Sequence, residues 1–319
     1  MTDMLTEPAL EWHRAGRGVV LATVIETWGS APRPAGSQMI VDREGAMMGS
    51  VSGGCVEAAV VLEAAEVLQT GLGRVLTYGV SDEDAFAVGL ACGGTIRVML
   101  QPLLTEDVLR NLLAAKAAGR AVALVTDLTD LTTALIGPED PMVAARLSSD
   151  QSGVDEGRFI AVHNPALRLI VVGAVHIAQA LTKMARLCDY ATVVIDPRTA
   201  FGAASRFPGE QVETDWPDEA LARLKPDART AIVTLTHDPK LDDPALAFAL
   251  RSKAFYVGCL GSRRTHAKRL ERLAAAGFTQ GELDRLHAPV GLNIGARNPA
   301  EIAISVMAQV TAVLRLPRV

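Results

Sequence analysis

Two cysteines in the first third of the chain sit beside paired glycines, Cys55 after Gly53-Gly54 and Cys92 before Gly93-Gly94. Glycine pairs let the backbone approach a ligand closely and expose N–H groups. The loop holding Ser52, Gly53, Gly54 and Cys55 runs into a helical pattern over 55–69, which places Cys55 at or near a helix start. Free N–H groups and the helix dipole there favour a bound anion, and thiolate over thiol. Each cysteine is therefore a candidate metal or sulfur ligand or a nucleophile, or else a small side chain filling a tight corner. A third glycine-rich loop, 29–36, contains Ser30 and holds Arg33 between two prolines. A stiff arginine is pre-organised for phosphate or another oxyanion, or for pairing with a surface acid. Asp82, Glu83 and Asp84 make an acidic turn of the kind more often solvated than metal-binding, and no HxxEH, CxxC or GxSxG spacing occurs.

The second half offers a different chemistry. The apolar run 167–172 leads into Gly173-Ala174-Val175-His176-Ile177-Ala178, a helical stretch to 187, and a second apolar run, 191–195, ending at Asp196. Strand, glycine turn, helix and strand with a terminal acid open a dinucleotide-binding unit, in which Gly173 makes the turn and Asp196 stands where a ribose-binding acid would. The middle glycine of that fingerprint is Val175 here, and a β-branched side chain occupies space a pyrophosphate needs. Gly261, Ser262, Arg263 and Arg264 form a further strand-to-helix turn carrying two cations, a candidate anion site. His237, after the strand at 230–234, is open to acid/base work or to loop capping. Asn298-Pro299-Ala300-Glu301 is a helix-start signature.

The elements that must position these residues define an α/β chain: an N-terminal α+β domain followed by a Rossmann-like doubly wound parallel-sheet domain. The first domain reads as helices near 9–15, 55–69 and 106–118, the last opened by Thr105, with strands near 19–27, 37–41, 46–50, 74–78, 95–100, 122–126 and 132–136. Residues 147–157, polar, acidic and rich in glycine and serine, read as the linker, which puts the domains at 1–157 and 158–319.

Composition narrows the function classes. Of 319 residues, 49% are hydrophobic and 21% charged, which suits two packed cores and excludes disorder as the main state. No run is apolar and long enough to span a bilayer, and the acidic N-terminus lacks a secretory pattern, so a cytoplasmic protein is expected. Four scattered cysteines, Cys55, Cys92, Cys188 and Cys259, read as reduced thiols. Residues 1–160 carry 11 Lys+Arg against 21 Asp+Glu, and residues 161–319 carry 20 against 15. Neither half is basic enough for a nucleic-acid surface. The basic excess is concentrated in 251–272, which suits a small anion or a solvated helix face.

The segments GSAPRPAGSQMIV, GSVSGGCVEAAV and YGVSDEDAFAVGLACGGTI resemble the N-terminal domain of the XdhC/CoxI family. LIVVGAVHIAQAL, TLTHDPKLDDPAL, VGCLGSRRTHAKRL and APVGLNIGARNPAEIAISVMAQV resemble its Rossmann-type C-terminal domain. The resemblance covers nearly the whole chain in order. It implies a chaperone that binds molybdenum cofactor (molybdopterin), protects it during sulfuration and delivers it to a xanthine, aldehyde or carbon monoxide dehydrogenase-type apo-enzyme. A molybdenum hydroxylase subunit and a cysteine desulfurase are the implied partners, with no nucleic acid or membrane, and a homodimer left open. Cofactor contacts are implied for Ser30, Arg33, Ser52, Gly53, Gly54, Cys55, Glu57, Cys92, Gly93 and Gly94, with Cys55 and Cys92 as the thiolates that suit molybdenum. In the second domain they are implied for Gly173, His176, Asp196, Gly261, Ser262, Arg263 and Arg264. The chain departs from the family at Val175 and at Asn293, where glycine and aspartate are usual. The alternative is an NAD(P)-dependent oxidoreductase using the Rossmann-like half, which Val175 opposes. A cysteine-nucleophile enzyme is the third option, without an assignable base.

Overall fold

A computed structural model of the chain describes residues 5–29, 33–79, 94–198, 200–201 and 204–316. It divides into two units, Met1–Pro165 and Ala166–Val319.

The N-terminal unit opens with α1 (Thr6–Arg14), β1 (Val19–Trp28), β2 (Gln38–Asp42), β3 (Met47–Gly49), α2 (Glu57–Thr70), β4 (Arg74–Tyr78) and β5 (Thr95–Pro102). It continues with α3 (Asp107–Ala117), β6 (Val122–Asp127), β7 (Thr133–Ile136), α4 (Pro141–Ser149), β8 (Gly153–Asp155) and β9 (Arg158–His163). The strands form two antiparallel sheets, ordered β3-β2-β1-β5-β4 and β7-β6-β9-β8. Alternation along β1 explains why both its faces are covered. Val20, Ala22 and Val24 pack with Val60, Ala64 and Val67 of α2. Val19 and Ile25 join a second cluster with Leu109 and Leu112 of α3 and with Leu124 and Phe159 of the smaller sheet. A register shift between Val24 and Glu26 lets the strand change face partway along. Helix α2 ends at Gly71, whose left-handed φ of 71° lets its N–H reach the Val67 carbonyl.

Two sequence expectations are corrected here. Residues 147–157 are not a linker: they complete α4 and form β8, which pairs with β9 inside the N-terminal unit. Their polarity belongs to an edge strand and a helix C-cap, and Arg146 clamps the segment through two 2.6 Å hydrogen bonds to Asp155. The division between units falls after Pro165 instead. Helix α3 starts after Glu106 with no side-chain cap, so Thr105 does not open it.

The C-terminal unit runs β10 (Leu167–Val172), α5 (His176–Leu187), β11 (Tyr190–Ile195), β12 (Gln211–Glu213), α6 (Pro217–Leu224) and β13 (Thr230–Thr234). Then come α7 (Pro239–Arg251), β14 (Tyr256–Cys259), α8 (Arg263–Ala275), α9 (Gln280–Leu283), β15 (Leu286–His287) and α10 (Pro299–Arg315). All six strands are parallel, in the order β12-β11-β10-β13-β14-β15. Counted from the start of this unit the order is 3-2-1-4-5-6, the dinucleotide-fold order, with its reversal between β10 and β13. Apart from Arg168 at its start, the run LRLIVV is apolar because β10 is buried on both faces, Leu169 and Val171 toward α5 and α10, Ile170 and Val172 toward α6 and α7. Asn298 caps α10 by accepting from Glu301 N at 2.9 Å, in a full capping box. Among the described residues no helix is long and apolar enough to cross a membrane.

Gly173 turns the chain at the end of β10 with φ 109°, and a Cβ there would lie 2.6 Å from Thr236 Cγ2 and 3.2 Å from Thr236 N. Gly173→Ala is expected to destabilise this unit by about 2 kcal/mol through backbone strain and overlap. That lowers the thermal midpoint by roughly 4–8 °C, measurable by calorimetry. An unchanged midpoint would show that the turn relaxes freely.

Candidate functional site

The register of the five-stranded sheet brings the strand ends that flank the three glycine-rich loops of the N-terminal unit to one side. Trp28 at the end of β1 lies opposite Thr95 at the start of β5, and Tyr78 at the end of β4 lies opposite Ile96. Gly49, ending β3, lies opposite Met39 beside the start of β2. The segments after β1, after β3 and before β5 therefore all leave the sheet on the same side. Ser30, Cys92 and Gly93 lie outside the described residues, as does the acidic turn at Asp82, Glu83 and Asp84. Gly94 is buried at the foot of β5.

The loop between β3 and α2 is folded around one carboxylate. Glu57 Oε1 accepts from Ser50 Oγ (2.7 Å), Val51 N (3.2 Å), Ser52 N (2.9 Å) and Gly53 N (3.1 Å). Its Oε2 accepts from Gly54 N (2.9 Å) and from Ser52 Oγ. Ser52 Oγ in turn accepts from Val56 N at 3.0 Å, closing the last turn before the helix. Glu57 is only 5% exposed. Burial pushes its carboxyl up, but the hydroxyl and amide donors outweigh this and hold it down at about 2. The N–H nest read from sequence as a site for an external anion is thus filled by the protein's own anion. Glu57 shapes the loop, with both its oxygens committed to it. The signal was present in the sequence: Gly54-x-x-Glu57 has the spacing of a capping box, in which a glutamate reaches back to amides before a helix.

Cys55 rides on this fixed loop, exposed, one residue before the Val56 cap and not within the helix itself. Beside it opens a mostly apolar cleft of about 670 Å³ between β3 and the first turns of α2, lined by Met47, Gly49, Ser50, Gly54, Ala58 and Leu62, among others. Met47 and Leu62 are strongly exposed there, at 54% and 73%. A Cβ on Gly54 would meet nothing within 4 Å, so the loop presents open backbone to solvent. Half-buried Arg33 lies on the loop leaving β1 at the same sheet edge, makes no hydrogen bond or ion pair among the described residues, and does not line the cleft. Sequence reasoning passed over Trp28, which ends β1 at this edge and is 49% exposed. Among the described residues no group of three or more His, Cys, Asp or Glu side chains could hold a metal ion.

In the C-terminal unit, Asp196 is fully buried and fully engaged. Its Oδ2 accepts from Ala174 N (2.8 Å) and Arg198 Nη2 (2.7 Å), and its Oδ1 from Arg198 N (3.0 Å) and Nε (2.8 Å). The Arg198 and Ala174 donors outweigh burial and hold its carboxyl below the usual range. Asp196 therefore ties the glycine turn to the end of β11, with little acceptor capacity left for a ribose. Val175 caps α5 in an extended conformation and packs against the core, while His176 points outward, exposed. Ser262 caps α8 by accepting from Thr265 N at 3.1 Å, with Gly261 at φ 151° before it and Arg263 and Arg264 exposed behind it. His237 is exposed with a left-handed backbone, and Asp238 beside it caps α7 through Lys240 N at 2.9 Å.

Residues 12–79 match the family described as XdhC and CoxI, and residues 169–310 that described as the XdhC Rossmann domain. The molybdenum cofactor insertion chaperone PaoD of Escherichia coli (strain K12) is 33% identical over 305 residues, spanning 96% of this chain and 86% of its own. A Bacillus subtilis (strain 168) protein described as a probable xanthine dehydrogenase subunit is 28% identical over 91% of this chain and 92% of its own. A crystal structure from Bacillus halodurans, described as a xanthine dehydrogenase, superposes with a TM-score of 0.76 at 27% identity and covers 98% of this chain and 96% of that one.

The Glu57 nest gives a pH signature. Its carboxyl is depressed in the folded state, from the ordinary 4.5 to about 2, so its stabilisation is complete above pH 4.5 and is lost as pH falls toward 2. The shift corresponds to about 3 kcal/mol. Glu57→Gln is expected to lower stability by about that much at neutral pH, and the gap to the parent protein should close on acidification through this window. Denaturant melts at pH 7, 4 and 3 measure it. A constant gap at all three values would mean that the charge does not hold the loop.

Proposed function

The chain belongs to the XdhC and CoxI family, and on that premise we propose that it is a molybdenum cofactor chaperone: its N-terminal unit carries the cofactor as cargo at the glycine-loop edge and hands it to an apo molybdenum hydroxylase. The observation that carries this reading is Cys55, an exposed thiol on a loop fixed by Glu57, beside a cleft of about 670 Å³. A thiolate is a soft donor that suits molybdenum, and the apolar wall of Met47 and Leu62 suits the flat face of a pterin. With the nest amides held by Glu57, the phosphate end of the cargo must find its cation elsewhere, and Arg33 is a cation at this edge with no ion pair among the described residues.

A carrier must release what it holds. An exposed thiol beside an apolar wall gives contacts that an apo-enzyme can replace piece by piece. Installation of the sulfido ligand by a cysteine desulfurase requires the bound centre to stay reachable, and an exposed Cys55 at a sheet edge leaves that access. A second copy of the chain could cover the same edge as a homodimer. Delivery to a xanthine dehydrogenase-type enzyme accords with the relatives PaoD and the Bacillus subtilis protein.

The strand order 3-2-1-4-5-6 favours one other reading, a dinucleotide on the C-terminal unit. Val175 and the engaged Asp196 oppose it. NAD(P) is expected to bind with Kd no tighter than about 1 mM, and Val175→Gly to strengthen whatever binding exists; titration calorimetry decides. Micromolar NAD(P) binding, with turnover of an alcohol or carbonyl substrate, would replace the chaperone by an oxidoreductase.

The direct test is Cys55→Ala, purified from a molybdenum-competent host. Molybdenum per protein is expected to fall by about tenfold or more, with matching loss of apo-hydroxylase activation. The exposed position keeps the stability change within about 0.5 kcal/mol. A variant that retains and delivers cofactor normally would leave the thiol with no part in carriage.

A further inference from the structure

A second cavity, of about 270 Å³, lies in the C-terminal unit between α7 and α8, beyond the carboxyl ends of β13 and β14. Four cations line it, Arg264, Lys268, Arg269 and Arg272, against two acids, Asp242 and Asp243. Arg272 is neutralised by Asp243 through hydrogen bonds of 2.6 and 2.9 Å. Arg269 is not matched in this way. It is 2% exposed, its Nη2 donates to the Leu260 carbonyl at 3.2 Å, and its Nε and Nη1 are buried with no acceptor among the described residues. The nearest carboxylate, Asp242, stands 4.0 Å from Nη2 and already accepts from Thr236 Oγ1 at 2.6 Å. Burial raises the Asp242 carboxyl above its usual range, so it is a poor counter-charge.

Arginine cannot shed its proton to escape such a setting. A buried guanidinium with two unanswered nitrogens is costly, and the cost is removed by an anion that brings its own oxygens. The surroundings favour one. Arg264 and Lys268 are exposed at the mouth and make no ion pair among the described residues. The 13-residue helix α8 begins beside Arg264, adding the positive end of its dipole. The space is several times the ~30 Å³ of a water molecule.

We propose that this cavity is a binding site for a tetrahedral oxyanion of the phosphate class, free or as the end of a larger ligand, with Arg269 as its buried anchor and Lys268 and Arg264 closing over it. The site lies on a different unit from Cys55, and nothing in its argument depends on the chaperone reading.

Titration calorimetry on the full chain at low salt, with inorganic phosphate, glycerol phosphate and acetate as probes, tests it. One saturable phosphate site is expected, with acetate weaker by about tenfold, because it lacks the third oxygen. Lys268→Gln and Arg264→Gln, both on exposed side chains, should together weaken phosphate by about tenfold or more. Arg269→Met should abolish binding; if that variant does not fold, the double variant decides. Tighter glycerol phosphate assigns the site to the end of a larger ligand, and equal affinities assign it to the free ion. No saturable heat up to ~10 mM phosphate, or an unchanged affinity in the double variant, would overturn the proposal. Cys55→Ala should bind phosphate as the parent does, which separates this site from cofactor carriage.

Discussion

The candidate site in the N-terminal unit depends on one carboxylate. Without Glu57, four consecutive backbone amides from Val51 to Gly54 would face inward or outward with no acceptor, and a loop with two glycines at φ 83° and 123° would have no reason to hold one shape. With it, six donors converge on two oxygens and the loop becomes as fixed as the helix it feeds. Cys55 inherits that rigidity from a residue two positions further on. The thiol can thus be both exposed and well placed, a combination that loops reach only when something interior anchors them.

Negative charge is handled in two opposite ways in the molecule. In the N-terminal unit the nest that could receive an anion is closed from within. At the first glycine turn of the C-terminal unit the same thing happens, since Asp196 takes the Ala174 amide and the Arg198 fork. Between α7 and α8 the balance is reversed, and a buried guanidinium lacks oxygens. The acidic and basic halves of the sequence therefore reflect more than surface tuning. The basic half holds both cases, a self-satisfied glycine turn at Asp196 and a cationic wall around Arg269 that is not.

Legibility from sequence followed burial. Strands β10 and β13, and the end of helix α5, could be read to the residue because a strand covered on both faces is a nearly continuous apolar run, and a glycine turn marks its end. Helix α10 announced itself through Asn298 and Glu301, a local signal that tertiary context rarely overrides. Residues 147–157 misled because an edge hairpin and a linker share a composition: both are polar, and only pairing with β9 distinguishes them. In the candidate site, the glycines and Cys55 were visible, but the role of Glu57 was not read, since a glycine-rich nest looks the same whether its anion comes from solvent or from three residues downstream. Arg269 was hidden for a related reason. One arginine among seven basic residues looks like part of a solvated face until the packing of α7 against α8 buries it.

The openness of Cys55 reaches beyond binding. A solvent-facing thiol is the first place an oxidant meets, and its oxidation to sulfenic acid and further removes the soft donor. Cargo seated against the sulfur would also cover it. If cargo is carried on this thiol as proposed, the vulnerable form is the empty one, and the supply of cargo would set how long each molecule survives in oxidising surroundings.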